Sequence, residues 1–222
     1  MAVTEGRADE VVALKAHAGI RGREGLRNAL LIVAPSQPTR GARIRRAATK
    51  ADFGREEVLC AAEGAENPTE SAAVYVADGP VGAESFYEYA PVVLVGDSFA
   101  RGGKGSSFTP AAHYACCVIH GPWYDDFRHL VTAAVNEIMR QGFLRPREMR
   151  GAEDEMWKEP CMEALDEEDV VELVAAALTN KDRTTLLGSA LQKAAVHLEK
   201  AAGDDAIHLV DDLMRLAAIS AG

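Results

Sequence analysis

Ser85-Phe86-Tyr87-Glu88-Tyr89-Ala90-Pro91-Val92-Val93-Leu94-Val95 is the stretch on which the fold turns. Taken as one extended segment, it places Phe86, Glu88, Ala90, Val92 and Leu94 on one face and Tyr87, Tyr89, Pro91, Val93 and Val95 on the other. Pro91 has no amide hydrogen to give a ladder, so an edge strand or a bulge is expected there. Residues 72–77 alternate in the same way, and Asp78, Gly79 and Pro80 between the two runs supply turn chemistry. Residues 113–120 read as a third alternating strand, closed by Gly121 and Pro122.

Outward from these runs, Phe127, Leu130, Val131, Ala134, Val135, Ile138 and Met139 recur at three and four, which predicts a helix with Gly142 as its C-terminal cap. Residues 152–158 are expected to add a short strand. Upstream, Val11, Val12 and Leu14 predict a strand over 10–18, and Leu26, Ala29, Leu30 and Val33 a short helix over 24–33. The basic, poorly periodic segment 35–51 is expected to be a loop or frayed ribbon, and 101–107 a mobile glycine-rich connection. After 160 the character changes to three capped amphipathic segments, opened by Asp166, Asp182 and Asp204 or Asp205. The expectation is an α+β domain over 1–160, an antiparallel sheet with helices on one face forming a ligand cavity, followed by an all-helical segment over 162–222.

The chain has 222 residues, 48% of them apolar, and a net charge of −10 that divides unevenly: +4 over 1–60, then −7 over 61–160 and −7 over 161–222. Disorder is excluded by this composition, and a general nucleic-acid binder would need a local basic stripe to overcome the acidity. Only Arg40, Arg43, Arg45, Arg46 and Lys50 approach one, with no helix-turn-helix signature beside them. No run reaches the roughly 18 apolar residues of a membrane span. Cys60, Cys116, Cys117 and Cys161 lack metal-site or redox spacing, which favours buried thiols, a cytoplasmic location and no metal or cofactor.

Four pieces in fixed order carry a family resemblance: Tyr87-Glu88-Tyr89-Ala90-Pro91-Val92-Val93, Pro110-Ala111-Ala112-His113-Tyr114-Ala115, His120-Gly121-Pro122-Trp123 and Glu155-Met156-Trp157-Lys158-Glu159-Pro160. This order resembles the second half of the GyrI-like small-molecule-binding family, which includes effector-binding domains of multidrug-responsive regulators. Trp123 and Trp157 stand where tyrosine is commoner, 35–51 looks inserted, and the helical tail replaces a short ending. The resemblance implies a cavity closed by a Glu-x-aromatic strand. In a strand, Glu155 and Trp157 share a face, and a carboxylate among rings suits a lipophilic cation. The expected ligand-binding set is Glu155, Trp157, Trp123, Tyr87, Tyr89, Tyr114 and His120, in a sensor or sequestering protein for aromatic or cationic compounds.

Three alternatives stand beside this one. A hydrolase of strained or electrophilic molecules would use Glu155 as acid or base in the same cavity. A GDSL-type serine esterase would use Gly96-Asp97-Ser98, with Ser98 as nucleophile and Asp205 and His208 as its partners, although an oxyanion-hole block is lacking. In an interaction module, the acidic C-terminal helices would dock a partner protein or a second copy. Arg101-Gly102-Gly103-Lys104-Gly105-Ser106-Ser107 lacks the spacing of a phosphate-binding P-loop and reads as a loop over the pocket.

Overall fold

The computed structural model describes residues 1–79, 82–144 and 159–220, with 204–220 described through their backbone alone. Seven short strands form one sheet: β1 (Ala2–Thr4), β2 (Leu31–Pro35), β3 (Val58–Cys60), β4 (Val74–Val76), β5 (Val92–Val95), β6 (Cys117–His120) and β7 (Cys161–Glu163). Their order is β3-β4-β2-β1-β5-β6-β7, and every pairing is parallel. This corrects the expected antiparallel sheet. The physical sign lies in the strands themselves: β2, β4, β5 and β6 are buried along their whole length, as strands covered by helices on both faces must be.

Residues 85–95 show how the error arises. The apparent alternation through Tyr87 and Tyr89 belongs to a 3-10 segment, Ala83–Tyr89, and only Val92–Val95 is strand. Within those four residues the period of two holds. Val92 and Leu94 join the layer of Leu31, Val33, Val74 and Val76, while Val93 and Val95 join Val118 and Ala112 on the other side.

Helices α1 (Arg7–Arg21), α2 (Gly41–Lys50), α3 (Thr109–His113), α4 (Arg128–Gln141), α5 (Glu167–Thr179) and α6 (Lys181–Ser220) cover the faces. Helix α1 replaces the strand expected over 10–18. Ala13, Leu14, Ala16, His17 and Ile20 form its buried stripe at helical spacing, and this burial outweighs the β-branched Val11 and Val12. The helix expected over 24–33 is instead a turn-rich loop leading into β2. The segment read as a loop over 35–51 contains α2, whose buried stripe is only Gly41, Ile44 and Ala48. Helix α4 ends as predicted, with Gly142 in the left-handed region at φ 64°.

Downstream of β7, Asp166 caps α5 by accepting hydrogen bonds from the amides of Glu168 and Asp169. Helix α5 packs on α1, and α6 packs on α3 and α4. Helix α6 runs unbroken past Gly203, so Asp204 and Asp205 do not open a third helix. Val170, Leu173, Ala177, Leu187 and Ala190 belong to the same core as the strands. Among the described residues no helix is long and apolar enough to cross a membrane. The strand expected over 152–158 lies outside the described residues.

Candidate functional site at the carboxyl edge of the sheet

The chain leaves β1 toward β2 on one side and returns to β5 on the other. The loops after β1 and β5 therefore diverge, and in open parallel sheets ligands bind in the crevice that such a switch point opens. Here the switch point is held by Asp9, at the third position of α1. Its Oδ2 accepts from the amides of Glu5 at 3.1 Å, Gly6 at 3.2 Å and Asp97 at 2.9 Å, which ties the β1 loop to the β5 loop. Burial raises its pKa, while the amides of Asp97, Glu5, Gly6 and Phe99 oppose the rise. By hydrogen-bond geometry, Asp9 Oδ1 and the buried Thr4 Oγ1 are left without partners among the described residues. Thr4 Oγ1 thus stands uncompensated at the end of β1, while the Phe99 amide acts on the Asp9 carboxylate.

Gly96 makes the close approach possible. A Cβ there would lie 2.6 Å from the Val3 carbonyl oxygen and 2.9 Å from the Glu5 amide nitrogen. Asp97 follows with φ 53°, and its carbonyl accepts from the Gly105 amide while its Oδ2 accepts from the Lys104 amide. The Gly96 carbonyl accepts from the Ser106 amide, and Ser106 Oγ reaches Glu5 Oε1 at 3.1 Å. The 101–107 loop is thus hydrogen-bonded to the β5 loop and to Glu5. Lys104 keeps its side chain 71% exposed, with Asp126 at 3.9 Å.

The β5 and β6 loops are zipped together by Ser98. Its hydroxyl donates to the Val95 carbonyl and accepts from the Gly121 amide at 2.8 Å, and its own carbonyl accepts from the Trp123 amide. Gly121 is required by this contact, since a Cβ would meet the Ser98 carbonyl oxygen at 2.2 Å. Ser98 is fully buried and its hydroxyl is spent on the backbone, so it is not an available nucleophile. Asp205 and His208 lie in α6, among the residues whose side chains are not described.

On the flank of α1, Glu10 and Arg40 form a two-pronged pair, Nε to Oε1 at 2.6 Å and Nη2 to Oε2 at 2.9 Å. Glu10 is 2% exposed, so the pair fixes the β2 loop against α1 with a fork geometry that lysine would not reproduce. On the other flank, the buried His120 lies with its ring 3.8 Å from that of Tyr124, which Arg128 covers at 4.4 Å. Burial lowers the His120 pKa, and its Nδ1 is 2.9 Å from the Gly121 carbonyl oxygen.

The sequence-predicted ligand residues separate into two groups. His120 and Trp123 stand at this edge, and Trp123 is 37% exposed. Tyr87 and Tyr114 stack at 5.7 Å on the segments that precede β5 and β6, at the opposite edge, beside the solvent-facing Tyr89. Glu155 and Trp157 lie outside the described residues. Asp9, Gly96 and Asp97 are not legible as a constellation because Asp9 and Asp97, 88 positions apart, meet only through the parallel β1–β5 pairing, and Glu10 meets Arg40 only once the β2 loop folds against α1. The signal that finds them is Asp9-Glu10 opening a helix directly after a short apolar strand.

These features define an open, doubly covered parallel α/β protein with its topological switch point between β1 and β5. Among solved structures it is similar to the crystal structure of the C-terminal CMP-Kdo binding domain of WaaA from Acinetobacter baumannii. The two align with a TM-score of 0.65 and 20% identity over 87% of this chain and 86% of that one. No protein-family model matches the chain, and no curated protein matches it. The fold likeness and the all-parallel sheet overturn the GyrI-like resemblance. With it go the multidrug-type binding of lipophilic cations and the hydrolase reading, both of which required the antiparallel cavity.

Proposed function

We propose that this chain is a sugar-nucleotide-binding domain of glycosyltransferase type, holding its ligand at the carboxyl edge between the β1, β5 and β6 loops. The single observation that carries the reading is the β1–β5 switch point, with the buried Thr4 Oγ1 lacking a partner among the described residues at the end of β1. The similar fold of a CMP-Kdo binding domain supports the class of ligand. In this arrangement Lys104 meets the phosphate as a point charge, and the exposed ring of Trp123 is a platform for the base. Glu5 and Asp97 accept hydrogen bonds from sugar hydroxyls, which a carboxylate does with two oxygens. Asp9 positions both loops and does not touch the ligand through Oδ2, which three amides already occupy. A cytoplasmic location belongs to the same proposal, and the four free, buried cysteines accord with it.

Calorimetric titration with CMP, UMP, AMP and their sugar derivatives tests the reading. One site per chain is expected, weakened about tenfold by Lys104→Glu and by Trp123→Ala, as loss of one charge-assisted contact or one stacked ring predicts. Failure of every nucleotide to bind, or equal affinity in both variants and wild type, would falsify it.

A further inference from the structure

The sequence left one feature unexplained: a positively charged N-terminal region in a protein of net charge −10. The structure gathers that charge into a cavity of about 670 Å³ between α1 and α2, on the side of α1 marked by the Glu10–Arg40 pair and lined by none of Asp97, Lys104 and Trp123. Its cationic lining is Arg7 and Lys15 from α1, Arg40 at the entry to α2, and Arg43, Arg46 and Lys50 from α2. Its floor is apolar, made by Val11, Leu14, Ala47 and Ala51. Glu10 is the one acid in the lining, and both its oxygens are taken by Arg40.

This arrangement works against the stability of its own helix. Helix α2 has no acidic residue in its first turn, where the partial positive charge of a helix N-terminus disfavours Arg40 and Arg43. Arg43, Arg46 and Lys50 follow at spacings of three and four, where like charges repel. Lys15 has an ion pair with Glu167 at 3.1 Å, and Arg46 gives its Nε to the Ala42 carbonyl. Arg7, Arg43 and Lys50 have no ion-pair partner among the described residues.

We propose that this groove is a second binding site, for a compact molecule carrying several phosphate groups. Guanidinium forks match phosphate oxygens in pairs, and rows from two helices can grip separate phosphates at once. The volume falls within the roughly 300–1,000 Å³ of small-molecule sites, and the apolar floor accepts the ring or glycerol body to which the phosphates are joined. A long polyanion would extend past the groove onto acidic surface and be repelled. The phosphates can belong to a free metabolite or to a lipid headgroup, and the chemistry of the groove is the same for both.

Calorimetric titration of the full chain with inositol hexakisphosphate, alongside sedimentation with phosphatidylcholine vesicles containing phosphatidylinositol 4-phosphate, tests the site and separates the two sources. The expected result is one site per chain for at least one probe, weakened more than about tenfold by the double variant Arg43→Glu/Arg46→Glu. The charge-matched double variant Lys181→Glu/Lys200→Glu, at exposed positions of α6, should leave binding within about twofold. Should the double variant fail to fold by circular dichroism, Arg7→Gln and Lys50→Gln on the two rims should each weaken binding by about threefold. Binding to vesicles alone assigns the phosphates to a headgroup, and binding to the soluble probe alone assigns them to a metabolite. No binding to either probe, equal loss in Lys181→Glu/Lys200→Glu, or tighter binding of a short DNA duplex than of both probes overturns the site.

Discussion

Ser98 shows how a residue type can suggest chemistry that its surroundings forbid. A serine after Val-Gly-Asp reads as a nucleophile, yet its hydroxyl is needed by the Val95 carbonyl and the Gly121 amide. Replacing it by alanine strands a buried amide, so Ser98→Ala should cost about 1–3 kcal/mol of stability in urea unfolding. Undiminished stability would remove Ser98 from its zipping role. His17 sets a second expectation. It is buried, stacked on Phe53 at 5.5 Å, with Nε2 2.9 Å from the Ala73 carbonyl oxygen, and burial lowers its pKa to about 4. Between pH 4 and the unfolded value of 6.5 the unfolded chain binds the extra proton, so His17 makes the fold lose stability as pH falls through that window. The full effect is roughly 3 kcal/mol. Asp9, with its pKa raised by burial, acts with the opposite sign, because its neutral form is the one the fold favours. Comparing wild type with His17→Gln at pH 7 and pH 5 isolates the histidine: the variant should lose distinctly less stability on acidification, and equal losses would contradict the neutral, buried assignment.

At the scale of elements, some boundaries are legible and others are not, for reasons that particular residues show. Asp166 before an apolar stripe gives the start of α5 correctly, because a side-chain cap is a local interaction. Asp166→Ala should therefore cost about 1 kcal/mol in thermal or urea unfolding, whereas no change would mean that tertiary contacts alone fix the helix start. Gly142 is legible for the same local reason. By contrast, α2 is hidden. Only Ile44 and Ala48 turn inward with Gly41, while Arg43 and Arg46, which dilute the pattern, line the basic groove and Arg45 pairs with Glu63 and the Val58 carbonyl. Residues 85–95 mislead in the other direction. Tyr87 and Tyr89 continue an alternation that their backbone does not, since three residues per turn in a 3-10 segment and two per repeat in a strand can both accommodate so short a run.

At the scale of the whole molecule, apolar alternation identifies strands but does not say how they pair. Parallel direction comes from the crossovers that link the strands, and the faces are closed by helices that arrive after the last strand: α5 covers α1, and α6 closes over α3 and α4. Leu173 and Leu187 are within a few per cent of full burial in the same core as β2 and β4, and each contributes roughly 1.5–3 kcal/mol by leaving water. Ending the chain after Glu163 should consequently yield a protein without a cooperative unfolding transition, and a stable folded product would show that the sheet does not depend on the tail. The same non-local geometry explains why the candidate site was only partly visible. His120 and Trp123 are neighbours in sequence and are legible together, whereas Asp9 and Asp97 meet only once β1 pairs with β5.

The central claim is that the ligand occupies the carboxyl edge at the β1–β5 switch point. It is tested most directly by mapping backbone amide shifts in nuclear magnetic resonance spectra while CMP or a CMP-linked sugar is added to the full chain. The predicted result is a saturable set of shifts at Glu5, Gly6, Asp97, Lys104, Ser106 and Trp123, with Tyr87 and Tyr114 at the opposite edge unmoved. Shifts confined to the amino edge, or no shift at millimolar nucleotide, would contradict the account.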